Sequence, residues 1–212
     1  MRRRFFIDSD GKEVEQPETY TIHIYTTVVS ASTSTTTKST TLLGNSFDLS
    51  KVKYQWINDV LQSSPTKTKA FSDTAIHKVT YQMEDDCTNL DYMFNGSNLY
   101  DFDCTEYNMD KITSMRYLFS GCIKLGSIIF ENDFTNVKSM ESMFEGCTTL
   151  TSVTFNENVY SGVTVTNMFA NINTNGVLYY PAEYESNFNR IINALPSTWT
   201  SSSGDGGDEM LD

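Results

Sequence analysis

Basic residues are scarce in this chain: 15 lysines and arginines stand against 27 aspartates and glutamates, for a formal charge of −12. That balance argues against nucleic acid as a partner, because phosphate binding needs a basic patch. Only 2 histidines occur, His23 and His77, both in alternating, strand-like contexts where a structural or exposed role is expected. No run of about 18 apolar residues exists, so no membrane span is expected. The start, Met1 to Ile7, carries a basic cluster, but its apolar stretch is too short for a visible signal peptide. The 4 cysteines form no C-x-x-C pair and have no metal spacing with histidine. Each fills a slot that a small or apolar side chain can occupy, so four free, buried thiols are expected. No phosphate-cradling glycine loop and no nucleophile with a placed base can be found. The chain therefore reads as a non-enzyme, with no catalytic residue, metal or cofactor assigned.

What the chain has instead is repetition. Leu90/Met93/Phe94, Met115/Leu118/Phe119, Met140/Met143/Phe144 and Val165/Met168/Phe169 recur at a spacing of 25 residues. In a chain that is 39% hydrophobic, twelve apolar slots in phase arise by chance about once in 10^5. Spacing i, i+3, i+4 places three side chains on one face of a helical turn. Asn89, Ser114, Ser139 and Thr164 precede the triplets as N-cap types. Gly96, Gly121, Gly146 and Asn171 follow as residues that tolerate the left-handed region. Each triplet predicts a capped helix of about six residues, too short to stand alone. Alternation follows, as in Leu125-x-x-Ile128-x-Phe130 and Leu150-x-x-Val153-x-Phe155, and predicts one short strand per copy. Leu99-x-x-Phe102-x-Cys104 fits after a one-residue slip.

The pattern predicts an α/β solenoid, leucine-rich-repeat-like with 25-residue repeats, plus an N-terminal β-rich arm. Residues 1–48 read as that arm, with a Ser/Thr linker at Ala31–Thr41. Residues 49–82 read as a capping helix (the amphipathic stretch Asp48–Gln62) and a degenerate repeat, and residues 83–180 as the repeats. Residues 181–200 read as a C-terminal cap, and residues 201–212 as a disordered acidic tail.

The repeat region resembles the BspA-like leucine-rich-repeat surface proteins over residues 83–200. The resemblance is carried by Ser114-Met115-Arg-Tyr-Leu118-Phe119-Ser-Gly121-Cys122 and by Met140-Glu-Ser-Met143-Phe144-Glu-Gly146-Cys147 with Leu150 and Val153. Asn175-Gly176-Val-Leu-Tyr-Tyr-Pro181 and Leu195-Pro-Ser-Thr-Trp199 are similar to that family's closing segments. The resemblance implies a surface-exposed bacterial protein used for adhesion, and similar modules occur in gut bacteria and their phages. The expected function is therefore recognition or adhesion, with a protein or glycan ligand. The alternative is a structural component of a phage virion or other assembly, bound to neighbouring subunits and anchored by residues 1–48. The expected location is correspondingly an extracellular surface or a virion. The outward strand positions Asp101, Asp103, Glu131, Thr154, Asn156 and Tyr179 are the candidate binding residues.

Overall fold

The computed structural model describes residues 5–7, 12–15, 21–27, 38–73, 75–105 and 107–204. Along the chain run β1 (Phe5–Ile7), β2 (Glu13–Glu15), β3 (Thr21–Thr27), β4 (Lys38–Thr41), β5 (Val52–Ile57), β6 (Val60–Leu61), β7 (Thr68–Phe71) and β8 (Ile76–Met83). There follow β9 (Leu99–Asp103), β10 (Ser127–Phe130), β11 (Ser152–Phe155), β12 (Gly176–Tyr180), α1 (Glu185–Ile192) and β13 (Trp199–Ser203). They form a seven-stranded sheet in the order β2-β1-β6-β5-β8-β3-β9, a four-stranded sheet β10-β11-β12-β13, and the pair β4-β7.

This arrangement overturns the expected α/β leucine-rich-repeat-like solenoid with a β-rich arm. The described residues are mostly strands in small sheets, and α1 is the one α-helix among them. Nor do the N-terminal strands project as an arm. β3 is hydrogen-bonded between β8 and β9, and β1 pairs with β2 and β6. Of the expected linker, residues 31–37 lie outside the described residues, while Lys38–Thr41 pairs with β7.

The capping helix predicted at Asp48–Gln62 is a hairpin. Asn58 and Asp59 take φ of 49° and 64°, and β5 turns back on β6 there. Two successive left-handed residues suit the right-handed twist of a tight hairpin. The expected degenerate repeat supplies β7 and β8 instead, and β8 lies inside the large sheet between β5 and β3. Of the tail expected to be disordered, Ser201–Ser203 belongs to β13, and residues 205–212 lie outside the described residues.

The predicted short helices fail for a definable reason. The residue just before the second apolar slot is left-handed in every copy: Tyr92, Tyr117, Ser142 and Asn167 have φ of 62°, 55°, 53° and 56°. One such residue breaks a right-handed helix. The chain forms an arc of successive turns instead. Within an arc, alternate amides close locally, as Met93 N–H to Leu90 O and Asn95 N–H to Tyr92 O. The intervening amides reach the next copy: Leu90 to Ser114 O, Tyr92 to Arg116 O, Phe94 to Leu118 O and Gly96 to Ser120 O. The same four-rung pattern runs from Met115–Gly121 to residues 139–145, and from Met140–Gly146 to residues 164–170. The second left-handed position of each arc is Gly96, Gly121, Gly146 or Asn171, with φ of 67°, 73°, 75° and 56°.

The apolar slots face inward as the triplets require. Met93, Leu118, Met143 and Met168 are fully buried. Phe94, Phe119, Phe144 and Phe169 stack in a column with centroid spacings of 5.9, 5.7 and 5.8 Å. On the opposite wall the parallel strands keep strict register, Ser127 to Ser152 to Val177 to Thr200, which places Ile128, Val153 and Leu178 in one buried row.

Ser142 combines a left-handed backbone with a buried hydroxyl that has no hydrogen-bond partner among the described residues. Ser142→Gly removes both costs and is expected to raise stability by about 1 kcal/mol. Urea denaturation checks this, and a loss of stability would mean that the hydroxyl serves the fold.

Candidate functional site

The predicted binding residues fall on two sheets. Glu131 follows β10, Thr154 lies in β11, Asn156 follows it, and Tyr179 lies in β12 of the parallel sheet. Asp101 and Asp103 lie in β9, which pairs antiparallel with β3 at the edge of the seven-stranded sheet. Their carboxylates are engaged locally. Asp101 accepts the Phe102 N–H at 2.8 Å, and Asp103 accepts the N–H and hydroxyl of Thr105. β9 packs beside β10, with the Phe102 and Phe130 rings 6.2 Å apart, but is not hydrogen-bonded to it, so the acidic pair lies next to the other four on a separate sheet.

Those four share one surface. The Asn156 amide donates to Glu131 Oε1 at 2.9 Å, and both side chains are exposed. Thr154 pairs with Ile129 on one side and Tyr179 on the other. It was expected to be outward and free, but only 8% of it is exposed. Flanked by larger side chains in the same row, a small central residue is covered by its neighbours. Ile129, by contrast, is 55% exposed, and Tyr179 is half-buried. The contact-capable surface is thus Ile129 and Tyr179 flanking Thr154, with the Glu131–Asn156 pair beside them.

A second concavity was not predicted. A groove of about 810 Å³ lies between the last arc, residues 164–174, and the end of α1, with Arg190, Asn193, Ala194, Pro196 and Thr198 on its far wall. The sequence carried a faint signal of it: the triplets stop at Phe169, so the last copy has no successor.

The remaining chemistry is structural. His77 stacks on Phe71 at 3.7 Å, and Asn58 holds its Nδ1 at 3.0 Å. Asn58 Oδ1 already accepts the Lys78 N–H, so its amide donates to Nδ1 and His77 Nε2–H donates to Asp73. The imidazole thereby ties β8 to the β5–β6 turn. His23 has no described side chain. No group of three or more His, Cys, Asp or Glu able to hold a metal occurs among the described residues.

All four cysteines are free and buried. Cys122 and Cys147 occupy one slot of successive copies, and each thiol bonds a carbonyl, Phe94 O and Phe119 O, at 3.0 Å. Burial pushes the Cys122 thiol up to about 12 from an ordinary 9.0, and it raises Cys87, Cys104 and Cys147 as well. The folded chain should take up almost no thiol reagent at pH 8, whereas the denatured, unreduced chain should take up four equivalents. The sign of the linkage follows. The folded state holds the Cys122 proton more tightly, so stability is full below pH 9.0 and falls as pH rises toward 12. Denaturant titrations at pH 8 and pH 10.5 measure that loss.

Among the described residues, no helix is long and apolar enough to cross a membrane. Residues 61–178 match the family model described as "Mycoplasma protein of unknown function, DUF285". No curated protein and no solved structure matches the chain.

Proposed function

Because the chain belongs to the DUF285 family, whose model covers more than half of its 212 residues, we propose that it is a non-enzymatic recognition or adhesion module of an extracellular surface. The BspA-like motifs of residues 83–200 support the same reading. One observation carries it: the outer face of the parallel sheet presents Ile129, Tyr179 and the Glu131–Asn156 pair on strands fixed by backbone register. Side chains on rigid strands are already ordered, so a ligand need not order them on binding. An aromatic ring beside a bonded amide–carboxylate pair suits a glycan, or a polar protein surface with an apolar spot.

The alternative role, a component of a phage virion held by residues 1–48, draws less support. Its anchor would be β1 and β3, and both are paired inside the large sheet.

The test is binding to immobilised glycans and host-surface extracts. Tyr179→Ala with Asn156→Ala is expected to weaken binding at least tenfold, or about 1.4 kcal/mol. Asp101→Asn with Asp103→Asn should leave it within about twofold, because those side chains are already engaged by the Phe102 and Thr105 amides and the substituted amide oxygens can still accept. Loss in the aspartate pair alone would point to a cationic partner. Full retention in both pairs would take the contact off this face. Tyr179→Phe is the control for packing on Thr154.

A further inference from the structure

The last arc ends the ladder with its donors unused. By the 24-residue offset of the earlier rungs, the amides of Val165, Asn167, Phe169 and Asn171 should reach the carbonyls of Asn189, Ile191, Asn193 and Leu195. Those residues instead form the end of α1 and the turn after it, where Asn189 O takes the Asn193 N–H and Ile191 O takes the Ala194 N–H. Among the described residues, none of the four amides has a partner. The C-terminal segment extends the parallel sheet through β13 and covers the side-chain column, but not the amides of this arc. The Trp199 ring lies 5.7 Å from Phe169, and its Nε1 donates to Asn173 O. What is left open between the arc and α1 is the groove of about 810 Å³.

We propose that this groove binds an acidic peptide segment of a partner protein, bent into the same arc of turns, which adds one more set of four rungs to the backbone ladder. The earlier arcs define what fits: a chain presenting carbonyls at every second residue, opposite the amides of an arc whose Asn167 and Asn171 are already left-handed. The occupant continues an interface that the chain makes with itself between each pair of successive arcs. Strand addition of this kind draws affinity from main-chain bonds and specificity from side-chain pockets. Among the described residues, Arg190 is the one charged side chain lining the groove, and its guanidinium favours a carboxylate at that point. This site is separate from the outer sheet face and stands or falls independently of it.

The probe is a synthetic peptide of residues 137–148 with Cys147→Ser, which in the chain supplies the carbonyls of Ser139, Glu141, Met143 and Glu145. In the free full-length protein, the Asn167 and Phe169 amides should exchange with deuterium at least about tenfold faster than those of Ser142 and Phe144. Saturating peptide should slow Val165, Asn167, Phe169 and Asn171 by about tenfold or more, with no comparable change elsewhere. By fluorescence anisotropy, Arg190→Glu should weaken binding about fivefold or more, and so should Glu141→Lys with Glu145→Lys in the peptide. Ala194→Trp, which fills the groove, should abolish it. Absence of binding at millimolar peptide, protection at other amides, or equal binding of the lysine peptide would overturn the proposal. So would amides already protected in the free chain that become exposed when residues 205–212 are removed, because the groove would then hold the chain's own tail.

Discussion

Phe144→Ala is expected to lower the free energy of unfolding by about 3–5 kcal/mol, the range for removing a buried aromatic and leaving a cavity. Phe144 is fully buried, stacked between Phe119 at 5.7 Å and Phe169 at 5.8 Å, and tilted against Phe130 at 6.4 Å. Its loss opens a gap in the middle of a column, where neither neighbour can collapse without dragging its own arc. The rungs above and below it, Phe144 N–H to Met168 O and Phe119 N–H to Met143 O, oppose that movement. Domains of this size have on the order of 5–15 kcal/mol in total, so the variant should sit near its unfolding threshold at 37 °C. Phe144→Leu should cost roughly half as much, because more of the volume is kept. Urea titration followed by tryptophan fluorescence decides it, and a loss under about 1 kcal/mol would contradict the burial of this column.

Removing residues 1–48 is expected to abolish the native fold. The sequence alone suggested a separable arm, and its removal should then have been harmless. The structure reverses that expectation. β3 fills the place between β8 and β9, so its loss leaves two unpaired edges in the middle of a sheet. Such edges aggregate. Leu42, Leu43 and Phe47, each at most 1% exposed, cover the first arc, and the Gly44 N–H bonds Met93 O at 2.9 Å. Gly44 is packed so closely there that an added Cβ would lie 2.2 Å from Tyr92 O. The truncated chain should be insoluble, or lose its cooperative thermal transition by circular dichroism. Removing only residues 1–37 keeps β4 and the Leu42–Phe47 cover and should be milder, though still without β3. A truncated chain melting within a few degrees of the full one would restore the idea of an independent arm.

Much of the repeat was legible because its signals are local. The triplets, the burial of Phe119 and Phe144, the left-handed glycines and the strand register follow from patterns a few residues long. The helix reading failed at one hidden point. Apolar residues at i, i+3, i+4 share a face in an arc of turns as well as in a helix. Tyr92, Tyr117 and Ser142 are not residue types that announce a left-handed backbone. Asp48–Gln62 failed similarly, its apolar spacing serving a hairpin as well as a helix. For the candidate site, alternation gives which side chains of β11 and β12 share a face, but not that Thr154 is covered by its neighbours. The pairing of β9 with β3 was not legible, because that contact spans most of 80 residues and leaves no local mark. The open groove is an absence of the next copy, and only the amides it leaves without partners make it visible.

The alternation of amides within each arc has a consequence for how such a chain can change length. Amides of one parity close within the copy and those of the other pass to the next, so every interior copy offers the same acceptors below and the same donors above. Duplication or loss of a whole 25-residue unit exchanges one matching junction for another and changes the stack by about one strand spacing, ~4.8 Å. An insertion of a single residue inside an arc swaps the parity and turns the donors away from their acceptors. The one place where the spacing slips, Leu99 to Leu125 against Leu125 to Leu150, is also where β9 leaves the parallel sheet and joins β3. Unequal recombination between copies should therefore yield folded descendants only when it is in phase, and lineages should differ in copy number far more readily than in copy length.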